Sequence, residues 1–370
     1  MRRIVVQAAK EWSEFRRDRL SLALAFLLPL ATLLLFGSGV RLQAKHIPIV
    51  VRDLDKSSIS KRLVDHLESS EVVAKARWEA TDSSTAALCA SDARAIITVP
   101  NGFGDDIEFG DPTKFSAQID GSDITTAHVM KAVARQIGIS ASDAAKEGKD
   151  YEVEPDVQVR FNPDLKESLF IVPGVFGIVL FMYPALLAAV AAARESELGT
   201  VVNLYTSSLS AIEALMGKAA VYILVGLLEA ALTLLSGRAI FGLTFASEPS
   251  LFVVATVIYL CAAVFFGLMV GTFARSQTVA VQATATGGFF PSLLLSGFVY
   301  PIANIPPQLS WLCLFVPARY YIDACRDAFL HGTGWTCAWI DPLVLAVFAA
   351  VFFAGAWWLM RPMQLDDAHA

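Results

Sequence analysis

Six stretches of this sequence are long enough and uncharged enough to cross a lipid bilayer, and this constrains the fold more than any other feature. A crossing of the roughly 30 Å hydrocarbon core takes about 20 apolar residues as a helix, because every backbone polar group must find its partner within the segment. The first stretch runs from Leu20 to Val40 with only Pro29 interrupting it. Its length exceeds the roughly 7 to 15 apolar residues of a cleaved leader, so it reads as a retained anchor. Leu169 to Ala193 and Pro249 to Ala274 are uncharged, and Ala219 to Ser236 is broken only by Glu229. Ser276 to Ala318 holds 43 uncharged residues with Pro301, Pro306 and Pro307 near its middle, which is more than one crossing consumes. One span followed by an outer return segment over 301–318 fits it. Pro342 to Met360 is the last span, with Trp357 and Trp358 near its end, where aromatic rings favour the headgroup boundary. A hydrophobic content of 55% against 17% charged residues agrees with a membrane protein.

Orientation follows from the basic residues of the short connections. Arg2, Arg3, Lys10, Arg16, Arg17 and Arg19 precede the first span, and Arg194, Lys218, Arg275 and Arg361 fall on the same side by alternation. Only Arg238, Arg319 and Arg326 fall on the other, which places both termini in the cytoplasm of a bacterial inner membrane. Residues 1–19 repeat apolar side chains at Val5, Ala9, Trp12 and Phe15 with basic residues between them, the pattern of a helix lying in the interface. Residues 361–370 form a cytoplasmic tail.

Between the first two spans, residues 41–168 change period and alternate strands with helices. Strands are expected over His46 to Arg52, Glu71 to Trp78, Ala93 to Val99, Lys114 to Asp120 and Val157 to Phe161. Helices are expected over Ser58 to Glu68, Ser83 to Ser91, Asn101 to Phe109 and Ile124 to Glu147, with Asn162-Pro163 as the return turn. The fold class is therefore an α-helical polytopic membrane protein of six transmembrane helices, 20–40 and five within 169–360, with an inserted α/β extracytoplasmic domain.

Several functions are excluded. A net charge of −6 with no basic surface argues against nucleic acid. No GxxxxGK[ST] phosphate loop is present: Gly217-Lys218 is followed by Ala219 and has no glycine five residues before it. HExxH and GxSxG are also missing, and His46, His66, His128, His331 and His369 are scattered, so neither an enzyme nor a metal site is expected. Cys89, Cys261, Cys313, Cys325 and Cys337 have no ligand spacing and read as packing residues, with a disulfide among the last three left open.

The informative polar stretch is the inner connection 194–218. Arg194, Glu195 and Glu197 lead into Gly199-Thr200, a helix break, and Leu198, Val201, Val202 and Tyr205 then recur at helical spacing. Ser210 and Glu213 spell a capping box that starts the third span. The stretch is either a connection that merely keeps its charges in water or an amphipathic element that seats in a partner's groove. Glu229, the one acid within a span, could bind a cationic substrate, carry a proton or serve structure alone. Arg319, Asp323, Arg326 and Asp327 are spaced for mutual pairing on one helix face.

These blocks together resemble the permease subunit of type-2 ABC exporters, in the subgroup with a large outer domain after the first helix. The resemblance rests on Arg194-Glu195-x-Glu197-x-Gly199-Thr200 with Glu213 and Gly217-Lys218, and on Leu295 to Pro301 with Asn304-Ile305-Pro306, Leu309, Trp311, Pro317, Arg319-Tyr320-Tyr321 and Arg326. Asp53-x-Asp55-x-Ser57, Val99-Pro100-x-Gly102-Phe103 and Asp120-Gly121-Ser122-Asp123 are similar to patterns of the family's outer domain. Ser207-Ser208-Leu209 departs from it, since relatives commonly carry a proline before the leucine. The resemblance implies that a separate ATPase subunit, carrying the ATP and Mg that this chain lacks, docks on Arg194, Glu195, Glu197, Leu198, Gly199, Thr200, Tyr205, Glu213 and Lys218. It implies a second permease, identical or a sister, around the substrate path, with Glu229 as a candidate lining residue and Gly297, Pro301, Pro306, Arg319 and Arg326 as an outer cap. The outer domain would guide substrate or bind a periplasmic adaptor. An ion-coupled secondary transporter and a membrane-anchored receptor are the rivals. The first would need inverted repeats, which are not seen, and six spans exceed what the second requires.

Overall fold

A computed structural model describes residues 2–39, 47–68, 73–76, 93–109, 113–122, 124–144, 154–160, 167–199, 210–246, 248–299, 302 and 305–361. The chain divides into a helical unit (Met1–Val40, Ile171–Ile302, Pro307–Ala370) and a sheet unit (Arg41–Phe170 with Ala303–Pro306).

Among the described residues six helices are apolar enough to cross a membrane: span 1 Arg19–Ser38, span 2 Ser168–Glu197, span 3 Ala211–Phe241, span 4 Ser250–Phe273, span 5 Gln277–Leu295 and span 6 Ile340–Met360. Helix α1, Arg2–Arg17, precedes them. Span 2 is the most enclosed, and its small residues explain why. Hydrocarbon tails are as apolar as Leu, so helices in a bilayer associate through close packing rather than through the hydrophobic effect, and small residues permit it. Gly267 and Gly271 of span 4 sit directly on the Ala185 and Ala189 backbones of span 2, where even a methyl group would overlap main-chain atoms. A polar seam adds specificity: Tyr259 donates to the Gly177 carbonyl, stacks on Tyr321 with centroids 4.2 Å apart, and Tyr321 shares a 2.9 Å hydrogen bond with Thr256. Span 6 closes on span 4 through the edge-on pair Phe265 and Phe353 and through Phe266 and Phe352.

Two helix limits extend past the apolar runs. Span 2 continues to Glu197 and span 3 begins at Ala211, because helical hydrogen bonding runs on beyond the hydrocarbon and the Ser210 cap, not polarity, sets the start. Span 1 carries a π turn at Ala23–Leu27, which periodicity could not show.

The sheet unit follows the expected alternation closely. Strand β1 (Ile47–Asp53) leads to α2 (Ser58–Glu68) and β2 (Val73–Lys75), and β3 (Ala95–Val99) to α3 (Phe103–Phe109). Strand β4 (Lys114–Asp120), α4 (Ile124–Ala144) and β5 (Glu154–Arg160) complete it. The helix over Ser83 to Ser91 and the turn at Asn162-Pro163 lie outside the described residues. The sheet order is β2-β1-β3-β4-β5, parallel except between β3 and β4. Ile49, Ile97, Val99, Phe103, Phe115, Ile119 and Met130 fill its core.

Two of the three resemblance blocks of this unit prove to be one knot. The Asp55 carboxylate, after β1, accepts the N–H groups of Gly102 at 2.8 Å and Gly104 at 3.0 Å, after β3, while Asp53 accepts from Asp55 N, Lys56 N and the Ser60 hydroxyl. Slight burial works to raise the Asp55 pKa, but the bonds from Ser57, Gly104 and Gly102 outweigh it and hold the group below the ordinary carboxylate value. Asp120 is paired with Arg94 at 2.6 Å.

Candidate functional site: a charged knot beneath α1

At one end of the helical unit, α1 lies against span 3 with an unexpected face inward. Gln7, Glu11 and Phe15 are buried, whereas Val5 and Val6 are about two-thirds exposed. The apolar stripe read from Val5, Ala9, Trp12 and Phe15 is therefore only partly the packed one: Ala9 is exposed, Trp12 half-buried and Phe15 buried. The reason is a partner far away in sequence. Lys218, 2% exposed, places Nζ 2.6 Å from Glu11 Oε1 and 2.8 Å from Glu195 Oε1. Gln7 donates to Glu11 at 3.0 Å, Tyr222 reaches its other oxygen at 3.5 Å, and Lys10 binds Glu195 at 3.2 Å. Gly217 makes the approach feasible, since a side chain there would run into Gln7.

The pairing is electrically closed, with two carboxylates facing two ammonium groups. Ions removed from water cost several kcal/mol each, and only mutual pairing with further hydrogen bonds offsets that. Gln7 and Tyr222 provide those bonds, so burial is tolerated. The knot joins α1, the end of span 2 and the start of span 3.

Two further contacts extend it. Arg194 binds Asp18 at 2.7 Å, and Asp18 caps span 1 by accepting Leu20 N and the Ser21 hydroxyl. Partial burial favours a higher Asp18 pKa, but Arg194, Ser21 and Leu20 together hold it below its ordinary value. Glu197 Oε2 accepts both Gln277 N and Gln277 Nε2 at 3.0 Å, tying the end of span 2 to the start of span 5.

Of the residues expected to meet a partner, the structure brings Arg194, Glu195, Glu213 and Lys218 together around α1, Arg3 reaching Glu213 at 3.8 Å. The capping box forms as expected, with Ser210 and Glu213 bonded in both directions. Leu198 is 67% exposed, and Gly199, at φ +67°, ends the helix in the left-handed conformation that glycine adopts without strain. Thr200 and Tyr205 lie outside the described residues, as does most of the expected amphipathic helix. Glu11 and Gln7 were missed, because nothing local in the sequence marks a polar stripe as the buried one.

The remaining candidates sit elsewhere. Glu229 is wholly buried in span 3. Gly297 offers its carbonyl to Arg326 at 3.2 Å, Arg319 lies over the Tyr320 ring, Pro306 is exposed, and Pro301 lies outside the described residues. At the end of the Arg319 to Asp327 stretch, Asp327 turns its carboxylate to Thr333 and to Gly334 N, closing the turn after Asp327–His331. Cys313 and Cys325 are buried free thiols.

Comparison with known proteins gives a consistent picture. The sequence profile of the ABC-2 family transporter proteins matches residues 19–358. The chain is 26% identical to the probable multidrug ABC transporter permease YbhS of Escherichia coli (strain K12), over 99% of its own length and 98% of that protein. It is 26% identical to the inner membrane transport permease YhhJ of the same strain, over 83% of each. Similarity reaches ABC transporter G family member 20 of Dictyostelium discoideum, 22% identical over 91% of this chain and 47% of that protein.

Proposed function

The chain belongs to the ABC-2 transporter family and is the membrane subunit of an ABC exporter, and from that premise we propose that it is driven by a separate ATPase through the knot beneath α1. The observation that carries this is the connection of Glu11, Lys218 and Glu195 into one buried unit. A push delivered beside Glu197 and Leu198 reaches spans 1, 2, 3 and 5 through bonds already made, without needing a new contact.

In this reading the expected docking residues divide by task. Leu198, Glu197 and Gly199, exposed at the helix end, together with Thr200 and Tyr205, meet the ATPase. Arg194, Glu195, Glu213 and Lys218 hold that surface in place. The end bearing α1 faces the cytoplasm and the sheet unit faces outward. Two permease chains pair around the path, ATP and Mg reside on the ATPase, and Gly297, Pro301, Pro306, Arg319 and Arg326 belong to an outer cap. The names of the relatives point to drug-like cargo. An adaptor is not part of this reading.

Site-directed cross-linking tests it. Leu198→Cys, in a permease complex purified with its ATPase, should cross-link to the ATPase with a short thiol reagent, while Leu224→Cys, exposed in the middle of span 3, should not. Equal cross-linking at both positions, or none at Leu198, refutes the docking assignment.

A further inference from the structure

Glu229 is 0% exposed, and neither carboxyl oxygen has a hydrogen-bond partner among the described residues. Acids at such depth are rare, and they face bundle interiors or substrate paths. What surrounds this one decides between those uses.

Gly226 of span 3 packs on Pro184 and Leu260, and Gly237, about three turns on, packs on Phe176 and Val172. Numbers rise along one helix as they fall along the other, so spans 2 and 3 are antiparallel. Glu229, about one turn beyond Gly226, therefore stands level with the turn of span 2 that precedes Pro184. Proline has no N–H, so the Leu180 carbonyl in that turn lacks its helical donor.

The Thr32 hydroxyl lies 2.8 Å from the Leu28 carbonyl and 2.7 Å from the Tyr183 hydroxyl, a contact in which either group can donate. Thr233 donates to the Glu229 and Ala230 carbonyls. What remains level with this turn is the Glu229 carboxyl, without a partner among the described residues, and the Leu180 carbonyl, without its helical donor. Such a group is complementary to a positively charged donor.

We propose that Glu229, with the Leu180 carbonyl, forms the recognition point for the charged nitrogen of a cationic organic cargo. The inference rests on the exporter reading above and gives it a substrate class. In the present conformation Glu229 is wholly enclosed, and one residue before Pro184 the Tyr183 hydroxyl ties span 2 to Thr32 of span 1. The π turn at Ala23–Leu27 lies in the same span, and such turns often accompany functional sites. Cation selectivity follows from the unpartnered carboxyl: buried alone it rests as the neutral acid, and an arriving cargo cation lets it release its proton to water as the site opens, whereas a neutral molecule supplies no such counter-charge.

The test uses the permease complexed with its ATPase in proteoliposomes, with ethidium as cation and Nile red as uncharged probe. Glu229→Gln keeps the shape and removes the charge. It should lower ATP-driven ethidium export about tenfold or more, the equivalent of losing one charge-assisted contact, and leave Nile red export, basal ATP hydrolysis and thermal midpoint near wild type. Glu229→Asp should retain more ethidium export than Glu229→Gln. Wild-type ethidium export by Glu229→Gln overturns the proposal, as does equal loss of both probes, which marks a structural role. A wild-type complex that exports Nile red but not ethidium overturns the cargo class alone. A complex that exports neither while hydrolysing ATP contradicts the exporter reading and the inference with it.

Discussion

Lys218 and Glu11, 207 residues apart in sequence, meet at 2.6 Å with each only 2% exposed. Glu195 completes the arrangement from the end of span 2 at 2.8 Å. A single ammonium group therefore bridges the buried carboxylate of Glu11 and the half-buried one of Glu195.

Replacing that ammonium exposes the dependence. Lys218→Met keeps the stem and leaves Glu11 and Glu195 without their shared counter-charge, which should cost about 3–5 kcal/mol. Thermal unfolding in detergent should fall accordingly, and trypsin should cut faster at Arg16 and Arg17 as α1 detaches. Adding Glu11→Gln to Lys218→Met should recover part of the loss, with a coupling energy of about 0.5–3 kcal/mol in the double-mutant cycle.

Gly199 tests the docking surface separately from the knot. Its φ of +67° disfavours any side chain, and valine there should cost roughly 1–2 kcal/mol locally. ATP-driven export by Gly199→Val should fall severalfold while the amount of protein in the membrane is unchanged. Normal export by this variant argues that the helix end does not need its present shape.

Close packing of spans 2 and 4 predicts a contrast between two glycines. Gly267→Ala puts a methyl group onto the Ala185 backbone, which cannot yield cheaply, whereas Gly287→Ala meets its nearest neighbour at an ordinary 3.5 Å. The first should lower the thermal midpoint by an amount matching the roughly 1–3 kcal/mol of overpacked cores, and the second should leave it nearly unchanged. Size-exclusion profiles and melting curves distinguish them.

Acid should loosen the sheet unit through Asp55. Its folded pKa lies below the ordinary value, so its contribution is complete above the unfolded carboxylate value of about 3.9 and is lost as the pH falls through the lowered folded value. Hydrogen exchange at Gly102 and Gly104 should stay constant from neutral pH down to about pH 4, after correction for intrinsic rates, and rise below it. In Asp55→Asn that acid-specific rise should be missing.

Much of the fold was legible because membranes and sheets impose strong local patterns. A bilayer demands uninterrupted apolar helices, and β1, α2, β4 and α4 follow from period and turn residues within a few positions. The capping box at Ser210 was visible because both its members lie one turn apart. The knot was not: Glu11 reads as one more charge on an interfacial helix until span 3 is placed beside it. Glu229 was visible as an acid within a span, but the orphaned carbonyl before Pro184 gained meaning only once Gly226 fixed the depth of that turn.

The inward face of α1 also sets an order of events during synthesis. Glu11 leaves the ribosome long before Lys218, and at about 5–20 residues per second the delay is roughly 10 to 40 s. Through that interval Glu11 has no Lys218 to pair with, so the inward face of α1 is completed only after span 3 has been made, and a helix made early is among those fixed late.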